Sequence, residues 1–272
     1  MSIGIQDMLP YQYNLIVKSW EDSIKIHYPQ YLKEWTDAPE HYNSLVNKWN
    51  TRVAIQKINH SELLKGKKDL IVLDSGCGSG WLSVDFSKYE EIKQIVALDS
   101  SEFNLSTLLP QINDLIGGKI EKITAYRGLF NPLNFKDKHF DIIVMSSAIH
   151  HSPNIRETLN EYKRVLKDDG VILLLNETPL TWFQYLTYMW KEFFYINYSH
   201  FKRSIKSFHM VSNNGILYDP YLGDTYYSFS HFVKIFSSIG MSYTIVNTGL
   251  FPYQHMKNQK YCLTHFILKK DN

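Results

Sequence analysis

Short apolar runs alternate with segments of helical periodicity through the middle of the chain. The segments that we predict as strands lie at 70–73, 95–98, 123–128, 140–145 and 171–175. Apolar runs of this length are typical of strands that are buried on both faces of a parallel sheet. Residues 155–166 follow helical spacing and reach the phrase RVLKDDG, in which Gly170 is expected to stop the helix in a left-handed conformation. The alternation predicts an α/β fold with a doubly wound, mostly parallel sheet and helices on both faces.

The two ends of the chain extend this core in different ways. Apolar residues at helical spacing and three prolines predict two or three helices before the sheet. After the core, the pattern predicts a last helix at 229–239 and two further strands at 241–246 and 261–268. We therefore divide the chain into an N-terminal helical cap at 1–65, a core at 66–178, an insertion at 179–228 and the end of the core sheet at 229–272.

Composition and charge limit the class of protein. The chain has 272 residues and a formal net charge of +2 at pH 7, without the basic stripe typical of proteins that bind duplex nucleic acid. Its two cysteines, Cys77 and Cys262, make no disulfide framework. The first residues lack the basic start and apolar core of a signal peptide, and no run of about 18 apolar residues predicts a membrane span. We expect a soluble, cytoplasmic protein, and the oligomeric state stays open.

A glycine-rich loop follows the first predicted strand. Asp74 ends this strand, and Gly76, Gly78 and Gly80 then alternate with Cys77 and Ser79 before a helical pattern resumes. Glycines permit positive φ and remove the Cβ atoms that would keep a ligand from the backbone. Strand, glycine turn and helix form the layout of a nucleotide-binding crossover. The spacing differs from the G-x-G-x-x-G of dinucleotide-binding proteins, which disfavours a nicotinamide oxidoreductase.

An acidic residue, Asp99, ends the second predicted strand. A carboxylate at this place can accept two hydrogen bonds from the hydroxyls of a ribose. Asp99, Ser100 and Ser101 are also good N-caps for the helix that follows. The two roles are compatible, and the sequence leaves both open.

The loop resembles D-x-G-x-G-x-G, the first motif of the class I, Rossmann-like S-adenosylmethionine-dependent methyltransferases of the small-molecule type. Asp99, the FD that opens the fourth strand, and RVLKDDG, which resembles the family's RVLKPGG, extend the resemblance over about residues 66–178. It implies a seven-stranded sheet whose last strand runs antiparallel between the fifth and the sixth, with leading helices that cap the cofactor S-adenosylmethionine. The residues expected at that cofactor are Arg52, Asp74, Gly76, Cys77, Gly78, Gly80, Asp99, Ser100, Leu129, Phe130 and Ser146.

One position departs from the family pattern. In relatives, the residue after the glycine of the third strand is often an Asp that bonds the adenine amino group, whereas this chain has Leu129. The departure predicts that Leu129 or Phe130 sandwiches the adenine while backbone groups bond its edge.

The aromatic-rich insertion at 179–228 follows the fifth strand. Trp182, Tyr185, Leu186, Met189, Trp190, Phe193 and Phe194 share helical spacing. Such a stripe is more often packed in a core than exposed to a ligand, and it lacks the basic face expected of a helix on a membrane surface. In the resembled family this part of the chain commonly sets substrate choice, so we interpret it as a cover over the substrate pocket.

Three residues at the strand tips are candidates for chemistry. Methyl transfer needs alignment of the acceptor and, for a protonated acceptor, removal of its proton. His150 and His151 follow the fourth strand, and Glu177 lies at the tip of the fifth; at most one histidine is expected to serve as the base. The remaining histidines show no metal-ligand spacing, so we expect no metal ion. The residues favour a methyltransferase that acts on a small molecule, and the expected acceptor is a hydroxyl of a natural product or sugar. The alternatives are an N-methyltransferase, a protein or RNA methyltransferase, and a non-catalytic protein that binds the cofactor.

Overall fold

The computed structural model describes most of the core and parts of its ends. The residues described are 3–9, 32–187, 211–213, 216–219, 224–252 and 262–271, with isolated positions at 13, 17, 18, 22, 25, 26, 29 and 190. Three residues of the predicted aromatic stripe, Met189, Phe193 and Phe194, lie outside them. No helix among the described residues is long and apolar enough to cross a membrane.

The core is an eight-stranded, mostly parallel sheet with the spatial order β1-β4-β3-β2-β5-β6-β11-β10. Its strands are β1 Ile5–Asp7, β2 Leu70–Ser75, β3 Ile92–Asp99, β4 Ile123–Arg127, β5 Phe140–Ser146, β6 Leu166–Glu177, β10 Met241–Asn247 and β11 Thr264–Lys270. β11 runs antiparallel to both of its neighbours, between β6 and β10. The predicted fold class and the place of the last strand are confirmed.

The sheet has one strand more than the seven predicted. Ile5–Asp7, which we had assigned to the helical cap, pairs in parallel with β4, with Ile5 beside Ala125. Three residues are too few to show a strand period in the sequence. The strand forms because it covers the hydrogen-bonding groups at the edge of β4.

Helices cover both faces of the sheet. They are α1 Leu32–Thr36, α2 Ala38–Asn43, α3 Thr51–Ile55, α4 His60–Leu64, α5 Trp81–Ser87, α6 Leu109–Ile116, α7 Ile155–Val165 and α8 Phe229–Ser238. Neighbouring residues of β2 alternate between the two layers: Val72 packs in one apolar cluster and Leu73 in the other, and both are fully buried. This two-sided burial is the reason for the continuous apolar run of the strand.

The end of α7 differs from the expectation. The helix ends at Val165, and the chain passes directly into β6 at Leu166. Gly170 therefore lies within β6 and is not among the glycines with positive φ. A Cβ atom there would lie 2.7 Å from Leu166 Cδ1 and 3.0 Å from the carbonyl oxygen of Asp141. The glycine is needed for close packing and does not stop the helix.

The described part of the insertion lies over the end of the sheet. Residues 182–187 are helical, and β7 Val211–Asn213, β8 Ile216–Asp219 and β9 Asp224–Tyr226 form a small antiparallel sheet. The Tyr185 ring is buried and packs edge-on against His231. Trp182, by contrast, is 62% exposed. The aromatic stripe is thus only partly packed in the core, because a helix this short presents one face to its neighbours.

Candidate active site

The glycine loop lies at the carboxyl ends of β2 and β3. The amides of Gly76 and Cys77 donate to the Leu98 carbonyl at 2.8 and 3.0 Å, which joins the loop to the end of β3. Gly76, Gly78 and Gly80 all have positive φ, between 53° and 73°. Residues that carry a side chain rarely adopt this backbone conformation, so the sequence needs glycine at each of these turns.

The three glycines have different surroundings. A Cβ atom at Gly76 would lie 2.9 Å from both Ala148 Cβ and Phe130 Cε1, and one at Gly80 would lie 2.6 Å from Leu109 Cγ on α6. At Gly78, by contrast, no heavy atom of the described residues lies within 4 Å. Gly80 is therefore needed for packing against α6, and its predicted contact with the cofactor stays a prediction. Gly78 is the glycine of the three whose missing side chain leaves room for a ligand.

Asp99 connects the glycine loop to the turn after β3. Its Oδ2 accepts from the Gly78 amide at 2.8 Å. Its Oδ1 accepts from the Ser101 amide at 2.9 Å and from Asn104 Nδ2 at 3.3 Å. The N-cap bond itself comes from Ser101, whose Oγ accepts from the Asn104 amide at 3.4 Å. The Asp99 carboxylate lies beside the open position at Gly78.

Asp74 lies behind the loop and is fully buried. Its Oδ2 accepts from Ser83 Oγ at 2.6 Å, which joins the end of β2 to the helix after the loop. Burial raises the pKa of Asp74 from 3.8 to about 7, although the hydrogen bond from Ser83 lowers it. This carboxyl joins the strand before the loop to the helix after it, and its predicted contact with the cofactor stays a prediction.

The raised pKa of Asp74 predicts a dependence of stability on pH. Between its unfolded and folded pKa values the folded state holds one more proton than the unfolded state, so the contribution of Asp74 to stability decreases as pH rises from about 4 to about 7. Asp74→Asn removes this pH-dependent contribution to the free energy of unfolding, which is roughly 1.4 kcal/mol for each unit by which folding raises the pKa of Asp74. We expect the variant to gain free energy of unfolding relative to the natural protein between pH 4 and pH 8, measured by urea denaturation. An equal change for Asp74→Asn and for the exposed control Asp114→Asn would contradict the assignment.

The other predicted cofactor residues lie around the loop in different ways. Cys77 is buried, and burial raises the pKa of its thiol well above the ordinary value, so it is a packed thiol without nucleophilic character. Leu129 and Phe130 are half-buried, and the Phe130 ring approaches Gly76 as described above.

The two predicted serines both take part in hydrogen bonds within the protein. The Ser100 carbonyl accepts from Arg127 Nε at 3.2 Å, and Ser146 Oγ accepts from Asn176 Nδ2 at 2.8 Å.

Arg52 is paired with the helix that follows the glycine loop. Its Nε and Nη2 atoms donate to the two carboxylate oxygens of Asp85 at 3.0 and 3.3 Å. Asp85 belongs to α5, so Arg52 joins α3 to α5. The expected contact of Arg52 with the cofactor stays a prediction.

A partly buried His150 and a buried Glu177 form a pair across the tips of β5 and β6. Glu177 Oε2 lies 2.9 Å from His150 Nδ1, and Oε1 accepts from the amides of Ala148 and Ile149 at 3.1 and 3.3 Å. Glu177 is 1% exposed, and these three contacts fix its carboxylate beside His150; its predicted part in catalysis stays a prediction. The backbone nearby is strained, with φ of 50° at Ser147 and 57° at Asn176, a feature that is common at functional sites.

A third acid, Asp224, completes this cluster and was not predicted from the sequence. It comes from β9 in the insertion, and its Oδ1 lies 3.1 Å from His151 Nδ1 and 3.6 Å from His150 Nε2. The two imidazole rings are 4.3 Å apart. No local pattern marks Asp224, because its neighbours at the site lie on a distant part of the chain.

The two carboxylates determine the charge of His150. Burial alone would lower its pKa, but the negative charges of Glu177 and Asp224 and the hydrogen bond that His150 donates to Glu177 outweigh burial and raise the pKa to about 9. His150 is therefore an imidazolium at neutral pH in this structure. The glycine loop and the histidine cluster lie at the same edge of the sheet, since Gly76 touches Ala148, which immediately precedes Ile149 and His150.

Comparisons with known proteins agree with this architecture. Residues 73–174 match the methyltransferase domain family. Over 106 residues, 39% of this chain and 40% of the relative, the chain is 31% identical to the uncharacterized methyltransferase YcgJ of Bacillus subtilis. It is 29% identical to the ubiquinone/menaquinone biosynthesis C-methyltransferase of Psychromonas ingrahamii over 45% of this chain and 48% of the relative. These two matches span less than half the length of the curated relatives.

The fold extends the likeness beyond the matched core. The 1,6-didemethyltoxoflavin-N1-methyltransferase of Burkholderia thailandensis, solved with S-adenosylhomocysteine, superposes with a TM-score of 0.55 at 13% identity, over 99% of this chain and 94% of the other. At this identity the likeness concerns the fold alone. Residues 73–174 are thus a methyltransferase domain, and the chain around them has the class I, Rossmann-like fold of the S-adenosylmethionine-dependent methyltransferases.

Proposed function

We propose that this protein transfers a methyl group from S-adenosylmethionine to a hydroxyl of a small molecule, such as a natural product or sugar. The observation that carries the proposal is the position of the histidine–carboxylate cluster beside the glycine loop. Methylation of a hydroxyl releases a proton, and groups that can take it lie next to the place where the donor would bind.

The residues around the loop fit the methyl donor. The open position at Gly78 admits a ligand close to the backbone, and the Asp99 carboxylate beside it can accept from ribose hydroxyls. Leu129 and Phe130 offer apolar surface for the adenine, in place of the usual acidic contact. Bound there, S-adenosylmethionine supplies an electrophilic methyl group with a good leaving group.

Proton removal is assigned to His151 in this proposal. Asp224 binds its Nδ1 and so can hold the ring with Nε2 on the opposite side. His150 already carries a positive charge at neutral pH, and a second imidazolium 4.3 Å away would be repelled by it. Glu177 holds His150 and Asp224 holds His151, so Nε2 of His151 is the nitrogen assigned to take the proton of the acceptor.

Other acceptors remain as alternatives. An amine acceptor would also use a base, and the toxoflavin enzyme with the similar fold is an N-methyltransferase. A protein or RNA acceptor, or a protein that binds the donor without catalysis, would keep the glycine loop and Asp99. A panel of hydroxyl and amine acceptors, assayed with labelled methyl donor, separates these possibilities.

Asp99→Ala tests the donor site. The change removes charge-assisted hydrogen bonds to the ribose, and we expect it to weaken S-adenosylmethionine binding by about 1.5–3 kcal/mol, measured by calorimetry. Asn104→Ala is a matched control, because it removes one contact of the Asp99 carboxylate within the turn and leaves the carboxylate itself. Equal affinities of the natural protein and Asp99→Ala for S-adenosylmethionine would mean that another residue binds the ribose.

A further inference from the structure

The cluster at the strand tips has the composition of a metal site. His150, His151 and Asp224 each direct one ligand atom into a common region, and these atoms all lie within 4.8 Å of one another. Around a zinc ion with bonds of about 2.0–2.2 Å, neighbouring ligand atoms are about 3–3.5 Å apart. The observed separations of 3.1 Å from Asp224 Oδ1 to His151 Nδ1 and 3.6 Å to His150 Nε2 are close to this.

The surroundings of His150 match those of a histidine that binds a metal. Such a histidine usually donates its other ring N–H to a carboxylate or carbonyl, which sets the tautomer and the direction of the ring. His150 has this arrangement: Nε2 points toward Asp224, while Nδ1 lies 2.9 Å from the buried Glu177. Glu177 is itself held by two backbone amides, so the whole arrangement is built before any ion arrives.

Charge and ligand type indicate which ions fit. With neutral imidazoles, the two carboxylates leave a net charge of about −2 in a largely buried place, which a divalent cation would neutralise. Two imidazole nitrogens and one carboxylate oxygen suit zinc and related transition metals better than magnesium or calcium, which prefer oxygen ligands. Three protein ligands also leave positions for water or a bound molecule.

We propose that His150, His151 and Asp224 bind one divalent transition-metal ion such as Zn²⁺, with Glu177 orienting His150. The ion would occupy the region into which the three residues direct their ligand atoms. A neutral His151 that binds the ion through Nδ1 carries its proton on Nε2, so the ion-loaded site would take the place of the His151 base. The role of the ion would then be to polarise an acceptor hydroxyl, which rests on the proposed function, whereas binding of the ion does not. The expectation of no metal was based on sequence spacing, which could not include Asp224.

The test uses the full-length, untagged protein, freed of metal with a chelator and titrated with ZnCl₂ by calorimetry. We expect one ion per chain, and CoCl₂ should give visible absorption bands typical of a low coordination number. Asp224→Ala and His151→Ala should each weaken zinc binding by at least about 100-fold, and Glu177→Gln by about 10–100-fold. The controls Asp114→Ala and His139→Ala remove an exposed aspartate and a histidine outside the cluster, and should leave the affinity unchanged.

Two results would overturn the site: absence of stoichiometric zinc binding to the natural protein, or binding that Asp224→Ala and Asp224→Asn both retain. Circular dichroism identifies a variant that has not folded, in which case Asp224→Asn replaces Asp224→Ala. Methyl transfer is assayed separately on the same preparations. Zinc binding without any methyl transfer would support the metal site and contradict the proposed function. Methyl transfer without zinc binding would support the proposed function and contradict the metal site.

Discussion

His151→Ala is expected to lower turnover by roughly 10²–10⁴ while leaving the affinity for S-adenosylmethionine nearly unchanged, the scale for loss of a general base. The physical reason is that the ring bound by Asp224 is the group assigned to take the proton of the acceptor hydroxyl. Steady-state kinetics with the identified acceptor give turnover, and calorimetry gives donor affinity. His139→Ala, which removes a histidine outside the cluster, is the control and should keep full turnover.

His150→Ala should behave differently from His151→Ala. It leaves the buried Glu177 without its imidazolium partner, so we expect the free energy of unfolding to fall by about 1–3 kcal/mol. Its effect on turnover should be smaller than that of His151→Ala, because His150 is charged at neutral pH and cannot accept a proton there. A larger loss of turnover in His150→Ala than in His151→Ala would identify His150, and not His151, as the base. Near-normal turnover in both variants would mean that alignment alone is sufficient.

Gly78→Val is expected to weaken S-adenosylmethionine binding by more than about 100-fold, which corresponds to roughly 2.7 kcal/mol or more. The valine side chain would fill the space at Gly78 in which the structure describes no neighbour within 4 Å. It would also be strained, because φ at Gly78 is 53°, and left-handed backbone costs a side chain roughly 1–2 kcal/mol. Calorimetry gives the affinity, and thermal unfolding gives the cost in stability.

Gly66→Val is a matched control for this strain. Gly66 has φ of 73°, and its Cβ position is likewise free of atoms from the described residues within 4 Å. It precedes the amino end of β2, whereas the glycine loop follows the carboxyl end of the same strand. We expect a similar loss of stability with normal donor binding. Normal donor binding by Gly78→Val would show that the glycine loop does not form the donor site. An equal loss of donor binding in Gly78→Val and Gly66→Val would show that backbone strain alone causes the loss.

Local features of the sequence were sufficient for the fold of the core. The apolar runs at β2, β3, β5 and β6 are continuous because these strands are buried on both faces, and this burial leaves a pattern within each strand. Positive φ at three alternate positions requires glycine, so the loop too is visible in a short stretch of sequence. The edge strand Ile5–Asp7 could not be found in this way, because pairing with β4 forms it and its three residues carry no period.

The sequence alone determined the parallel sheet, the glycine loop, and the presence of Asp99 and the two histidines at the strand tips. Tertiary structure decided what those residues do. Gly80 packs against Leu109, Arg52 is bound by Asp85, and Asp224 reaches His150 and His151 from the insertion. These contacts join residues that are far apart along the chain, so no periodicity or local spacing encodes them. The charge on His150 follows from two carboxylates on different strands, and only their approach in the folded protein creates it.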